Sequence, residues 1–237
     1  MHMCLWFIVC PLTPLQPDCV VPATWERNKN QTSHNIQQFR LQKYSNLPWS
    51  TSSTTTTAID ILQINLAKSK VATAHLETLA SEININHFLV QEPYVKEGKI
   101  AGVPRKWHQW LSSNNKAGII SLPSTNNPIF ICSTTNLTAI KIQTITGPVN
   151  LISAYSSPYA VLQDTAQDLT NLLTKIGPEQ ALIGADVNSP STLWGYANNS
   201  PRGNIMEDLI SGLNLHLLNE KTQSQPSSVG TQRDGPT

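Results

Sequence analysis

The sequence predicts an α+β fold in which some strands are joined by helices and others by tight turns. Three observations predict it. Residues 59–66 (IDILQINL) are apolar at nearly every second position, the period of a half-buried strand. Two windows, 68–83 and 160–176, gather their apolar residues on single helical stripes. Between them, β-like runs at 117–122, 128–133, 137–144 and 149–154 are separated by turn residues such as Pro123, Asn126, Asn127, Gly147 and Pro148.

Taken in order, 59–66 is the first strand. The helix over 68–83 presents Ala72, Leu76, Leu79, Ala80 and Ile83 to a core. Residues 87–91 (HFLVQ) form a short buried strand, and the four β-like runs follow. The second helix places Leu162, Leu169, Leu172, Leu173 and Ile176 on one face, and Gly177-Pro178 stops it. Residues 180–185 are another buried strand. A third helix over 203–213 buries Ile205, Met206, Leu209, Ile210 and Leu213, and 215–218 is a last apolar run. No internal repeat is present.

The organised chain begins near Ala58. Ahead of it, Pro11, Pro14, Pro17 and Pro22 interrupt any periodicity, and the stretch closes in eight consecutive Ser and Thr residues, 50–57. Such a tract buries too little apolar area to offset its ordering entropy. Residues 1–57 therefore read as a low-complexity, disordered tail and 58–237 as one domain.

Composition removes several function classes. Charged residues are 13% of the 237, about half the usual share, and the net charge is +1. That excludes a strongly basic coat protein for nucleic acid and an acidic solvating chain. Cys4, Cys10, Cys19 and Cys132 form no CxxC pair and have no histidine at finger spacing, so a structural zinc site and a disulfide framework are not expected. No run of about 18 apolar residues exists to span a membrane. The expectation is an intracellular chain and not a secreted one.

The chemistry lies at the strand ends. The strand over 59–66 delivers Asn65, the strand over 87–91 delivers Gln91 and Glu92, and the strand over 180–185 delivers Asp186 and then Asn188. In α/β layers, ligand groups cluster at strand C-termini, so these residues can converge on one pocket. Two carboxylates with neighbouring amides suit a hard cation such as Mg²⁺, which keeps waters that a phosphate can displace. Each residue also has a plainer use: Asn65 and Asn188 suit turns, Glu92 before Pro93 suits a strand leaving into solvent, and Asp186 suits a cap. Jointly, and in this order, they favour a site.

These residues resemble a known family. The segments LQINLAKSK (62–70), LVQEPY (89–94), SAYSSP (153–158), LIGADVNSPSTLWG (182–195), PRGNIMEDLI (201–210) and LHLLN (215–219) are similar to the endonuclease/exonuclease/phosphatase superfamily. Within it, they look closest to the apurinic-type endonuclease domain of arthropod non-LTR retrotransposons. The resemblance implies a deoxyribonuclease-I-like, four-layer α/β/β/α sandwich and a Mg²⁺- or Mn²⁺-dependent endonuclease that nicks DNA. It implies a reverse transcriptase region on the same polyprotein, and neither a membrane nor a small-molecule cofactor. Carried over by position, Glu92 and Asn65 belong to the metal site. Asp186 positions or polarises the attacking water, Asn188 holds the phosphate, and the Tyr155 hydroxyl faces the scissile phosphate.

Arg202 either touches DNA phosphate or covers the start of the third helix. Residues 94–116 interleave Lys96, Lys99, Arg105, Lys106, Trp107, His108 and Trp110. This suits phosphate contact by Lys106 and stacking by Trp107, or equally a solvated loop with both tryptophans packed inward.

The match breaks at the C-terminus. The family continues with a Ser-x-Ile-Asp strand and a Ser-Asp-His motif, whereas this chain stops at Thr237 before either, and none of its six histidines stands in the place of that His. The resemblance therefore implies a domain without its last strands, with a sheet edge and apolar surface uncovered. Losing an acid/base partner typically costs on the order of 10²–10⁴-fold in rate. Two further readings follow: an inactive remnant that still binds nucleic acid or a partner, and a phosphodiesterase of the same superfamily acting on small substrates.

Overall fold

Alternating side chains divide each central strand between two environments, and that division sets the layers. A computed structural model describes residues 5–9, 36–41, 59–123, 127–144 and 147–218. In chain order the elements are β1 (Leu5–Val9), β2 (Ile36–Leu41), β3 (Ile59–Asn65), α1 (Lys70–Ala74), α2 (Leu76–Glu82) and β4 (His87–Gln91). Next come the short ribbon β5 (Val95–Lys96) and β6 (Lys99–Ile100), then β7 (His108–Leu111), β8 (Ala117–Ser121), β9 (Ile129–Ser133), β10 (Leu137–Thr144) and β11 (Gly147–Tyr155). The chain continues through α3 (Leu162–Ile176), β12 (Gln180–Asp186), α4 (Pro201–Gly212) and β13 (His216–Leu217).

One sheet has the order β13-β1-β12-β11-β10-β9 and the other β2-β3-β4-β8-β7. In β3, Ile59 and Ile61 join a core shared with Leu89, Ile119, Ile140, Ile142, Leu151 and Leu182, so they point from one sheet to the other. The intervening Leu62 and Ile64 pack with Leu76, Leu79 and Phe88 beneath α1 and α2. On the far side, Ile152, Ala181, Ile183 and Ala185 pack with Leu169 and Leu172 of α3 and with Met206 and Ile210 of α4. Helices, sheet, sheet, helices: the layers are those of the expected sandwich, and the period of two explains them. Among the described residues, no helix is long and apolar enough to cross a membrane.

Three local details differ from the sequence reading. The helix expected over 68–83 is two helices meeting at His75. Thr73 bonds back to the Ser69 carbonyl at 2.8 Å while its Oγ1 accepts the Tyr94 N–H, a side-chain competition that bends a helix. The last helix begins at Pro201, two residues before its expected start, because Ser200 caps it through the Gly203 N–H and Pro201 occupies the first turn. Residues 108–111, read as loop, form β7 against β8.

Within the region expected as a tail, two segments are strands. β1 lies antiparallel to β12, with Leu5 opposite Ala185 and Val9 opposite Ala181, and β13 flanks it. β2 pairs antiparallel with β3, Ile36 opposite Ile64. The backbone edges of β12 and β3 are thereby hydrogen-bonded rather than bare, which is what unpaired strand groups require. The outer strands of the two sheets are β13 and β9, and β2 and β7. Exposed apolar side chains occur on β9, at Ile129 and Phe130. The Ser/Thr run 50–57, Cys4, Cys10, Cys19 and the residues from 219 to Thr237 lie outside the described residues.

Candidate active site

The inter-sheet face of each central strand is apolar at its middle and polar at its C-terminal end. On β3 the face reads Ile59, Ile61, Gln63, Asn65; on β4, His87, Leu89, Gln91; on β11, Val149, Leu151, Ser153, Tyr155; on β12, Leu182, Gly184, Asp186. β3 runs parallel to β4, with Asn65 beside Gln91, and β11 runs parallel to β12, with Tyr155 beside Asp186. The polar halves of all four strands therefore share one end of the gap between the sheets.

Hydrogen bonds stitch that end across the gap. The Gln91 amide donates to Ser153 Oγ and to the Gly184 carbonyl, both at 3.1 Å, and its oxygen accepts from Gln63 at 3.2 Å. Ser153 donates to the Val90 carbonyl. Gly184 is needed here because a Cβ would stand 2.8 Å from Leu89 Cδ1 and 3.2 Å from the Gln63 amide. At the mouth, Asn65 Nδ2 donates to Asp186 Oδ2 at 2.7 Å, while Asn65 Oδ1 accepts the Ala67 N–H. Asp186 is fully buried, so this amide supplies part of the polar contact its carboxylate requires. The Asn188 N–H lies 3.4 Å from Asp186 Oδ1, and its side-chain amide donates to the Ser156 carbonyl at 3.0 Å.

Two of these residues sit in left-handed backbone, Glu92 with φ 47° and Asn188 with φ 48°. Asn tolerates that region, whereas Glu there is held by its surroundings. The Glu92 N–H donates to the Lys116 carbonyl at 2.8 Å, and its carbonyl accepts the Lys68 N–H at 2.6 Å. The strained turn aims the Glu92 side chain at the Tyr155 hydroxyl, with which it hydrogen-bonds. Burial, that bond and the Glu92 and Asp186 charges push the Tyr155 phenol above its ordinary range, with Arg202 opposing. Its hydroxyl is a donor across the working pH range.

Two cations flank this pair. Lys68 Nζ is 3.9 Å from Glu92 Oε1, and Lys116 Nζ lies 5.6 Å from the centre of the Tyr155 ring. Neither was marked by the sequence, since an isolated lysine after a strand carries no periodic signal.

The fold is similar to that of known proteins. A family described as endonuclease-reverse transcriptase matches residues 149–235. Among solved structures, the endonuclease domain of TRAS1, a telomere-specific non-LTR retrotransposon, matches at 29% identity, covering 68% of this chain and 73% of that one, with a TM-score of 0.61. Over these spans the chain is similar to an endonuclease domain of the endonuclease/exonuclease/phosphatase superfamily. No curated protein matches it.

In this chain, Asn65, Glu92, Tyr155, Asp186 and Asn188 come together at one mouth. Arg202 reaches the same region but points its guanidinium at protein acceptors: the carbonyls of Asn188 at 2.9 Å, Val187 at 2.7 Å and Ala160, and Ser156 Oγ at 2.9 Å. Trp107 is only 6% exposed and stacks on Phe88 with centroids 5.9 Å apart, so it packs inward beneath α1 and α2. Lys106 is exposed, but the register sets it apart from the mouth. His108 pairs with Ser121 and Ser121 with His87, four residues from Gln91 along β4, a span of about 13 Å.

The donor set at the mouth is made of oxygen and amide groups. Among the described residues, no three His, Cys, Asp or Glu side chains gather as a metal cluster. Glu92 and Asp186 with the Asn65 amide fit Mg²⁺, which needs one or two carboxylates and retains waters. Neither Cys nor His, which supply most zinc ligands, is among these groups.

Proposed function

We propose that this domain hydrolyses a phosphodiester bond of DNA, nicking one strand, with Mg²⁺ or Mn²⁺ held at Glu92 and Asn65. The observation that carries this reading is the buried Asn65–Asp186 hydrogen bond lying beside the Glu92–Tyr155 contact at the mouth of the gap. A divalent ion there supplies positive charge against the phosphoryl oxygens and sites for exchangeable water. Asp186, oriented by Asn65, takes a proton from the attacking water. Asn188, through its remaining amide hydrogen, and Tyr155, whose hydroxyl would turn from Glu92 to the substrate, donate hydrogen bonds to phosphate oxygens as charge builds on them. Lys68 and Lys116, at the same mouth, contact the flanking backbone phosphates. Lys106 would meet only a substrate that continues well past the mouth.

The wider setting follows from the same reading. The domain serves a non-LTR retrotransposon, its DNA substrate places it in the nucleus, and a reverse transcriptase region belongs to the same polyprotein.

The test is incubation of the full chain with supercoiled plasmid in Mg²⁺, in Mn²⁺ and in chelator, beside a small aryl phosphodiester. The account expects metal-dependent conversion to the nicked circle and little turnover of the small ester. Turnover of the small ester without nicking would instead assign a small-substrate phosphodiesterase, and binding without any turnover an inactive remnant.

A further inference from the structure

Arg202 occupies the first turn of α4, immediately after Ser200 and Pro201. The start of that helix is fastened to the turn that follows β12. Ser200 directs both its N–H and its hydroxyl to the Pro190 carbonyl, at 2.9 and 3.0 Å. Gly203 lets the two approach, since a Cβ there would lie 2.1 Å from the Pro190 oxygen. Residues 187–191 and the beginning of α4 are thus one unit.

From that unit the guanidinium bridges to a second segment. Nε and one Nη2 hydrogen go to the Asn188 and Val187 carbonyls, within the unit. The other Nη2 hydrogen goes to Ser156 Oγ, and Nη1 goes to the Ala160 carbonyl, both in the segment that follows Tyr155. Four of the five guanidinium hydrogens are spent on protein acceptors, too many to leave a two-pronged grip on a phosphate. Both bridged segments carry site groups. Asn188 is reached through its own carbonyl, and its side-chain amide in turn rests on the Ser156 carbonyl.

We infer that Arg202 is a positioning residue: it clasps the 156–160 and 187–188 segments together and so fixes where the Asn188 amide and the Tyr155 hydroxyl meet the phosphate. This rests on the nuclease reading for its functional consequence, though not for the clasp itself. A planar fork can hold acceptors on two segments at once, whereas the compact ammonium of lysine cannot. Charge is therefore not the property that matters here.

The experiment compares the full chain with Arg202→Ala and Arg202→Lys, each first checked for native circular dichroism. Single-turnover nicking and DNA affinity across a salt series are measured. A misplacement of about 1 Å costs on the order of 10²-fold in rate. Both variants are expected to slow single-turnover nicking by roughly that factor, with the salt slope of binding unchanged and with methylguanidinium restoring part of the Arg202→Ala rate. A direct phosphate contact would lower the salt slope by about 1 and would leave Arg202→Lys close to wild type, and either result overturns the inference. Amide hydrogen exchange of free protein supplies a readout that needs no turnover. Exchange should quicken at 156–160 and 187–189 in both variants, and unchanged exchange there overturns the clasp. Wild-type protein that fails to nick while its variants quicken in exchange would sink the nuclease reading and leave the clasp standing.

Discussion

Asn65 Nδ2 donates to Asp186 Oδ2 at 2.7 Å, joining the two sheets through residues 121 positions apart. Asp186 has no solvent exposure, so its carboxylate depends on such donors. The bond also orients the carboxylate that the proposed mechanism uses as a base. One contact thus connects the stability of the sandwich with its chemistry.

Removing that donor has an expected stability effect. Asn65→Ala removes a donor from a buried carboxylate, at a cost of about 1–3 kcal/mol. Urea denaturation of Asn65→Ala, Asp186→Asn and the double variant should reveal a coupling within that range. A double variant whose loss equals the sum of the two single losses would mean that the bond carries no net energy.

Tyr155 is expected to act only as a donor. Burial and the Glu92 bond hold its phenol above the ordinary range, so the proton stays on throughout neutral and mildly alkaline pH. Tyr155→Phe should reduce single-turnover nicking by about 10²-fold, the usual loss for one donor to a developing oxyanion. The alkaline limb of the pH–rate profile should be the same in both proteins. A limb that disappears in Tyr155→Phe would make Tyr155 a titrating group instead.

His87 sets an acid limit on the fold. It is buried on β4, its Nδ1 is 2.7 Å from Ser121 Oγ, its Nε2 has no partner, and burial lowers its pKa to about 4. The unfolded chain takes up this proton near pH 6.5, the folded one only near 4. The neutral-His contribution is therefore complete above pH 6.5 and drains away as pH falls towards 4, by on the order of 3 kcal/mol in all. Urea midpoints between pH 7 and pH 4 should fall accordingly, and His87→Gln should flatten that slope. An equal slope in the variant would exclude His87 as its source.

Two glycines are expected to rank in a fixed order. At Gly184 an added methyl meets the end of the Leu89 side chain and the Gln63 amide, which can shift, so Gly184→Ala should cost about 1–3 kcal/mol. At Gly203 it meets the Pro190 carbonyl at 2.1 Å, and backbone cannot step aside cheaply. Gly203→Ala should be the more destabilising by thermal unfolding. The reverse order would mean that the α4 start is loosely seated.

Much of this arrangement was legible in the sequence because it follows a period of two. The near-alternation over 59–66 announces a strand, although its burial on both faces emerges only from the packing, and the polar ends at Asn65, Gln91 and Asp186 break the pattern where chemistry needs them. What remained hidden depends on contacts between distant residues. Nothing local to Trp107 says that Phe88 will receive it, and nothing near Arg202 says that four acceptors from two other segments will surround it. The strand at 108–111 was missed because its residues are polar and aromatic rather than alternating, and pairing with β8 alone makes it a strand. The pairing of β1 with β12 is of the same kind, since the Pro-rich surroundings of 5–9 mask its β tendency.

The most direct test of the account is the single-turnover nicking rate of the full chain at saturating DNA, with Mg²⁺, compared with Asp186→Asn and Glu92→Gln. The account expects nicking by the wild type, a loss of 10²-fold or more in each variant, about what removing a general base or a charge-stabilising group costs, and DNA affinity changed little. Equal rates in wild type and Asp186→Asn would contradict it, because the mouth built around the Asn65–Asp186 bond would then not be where the phosphodiester is cut.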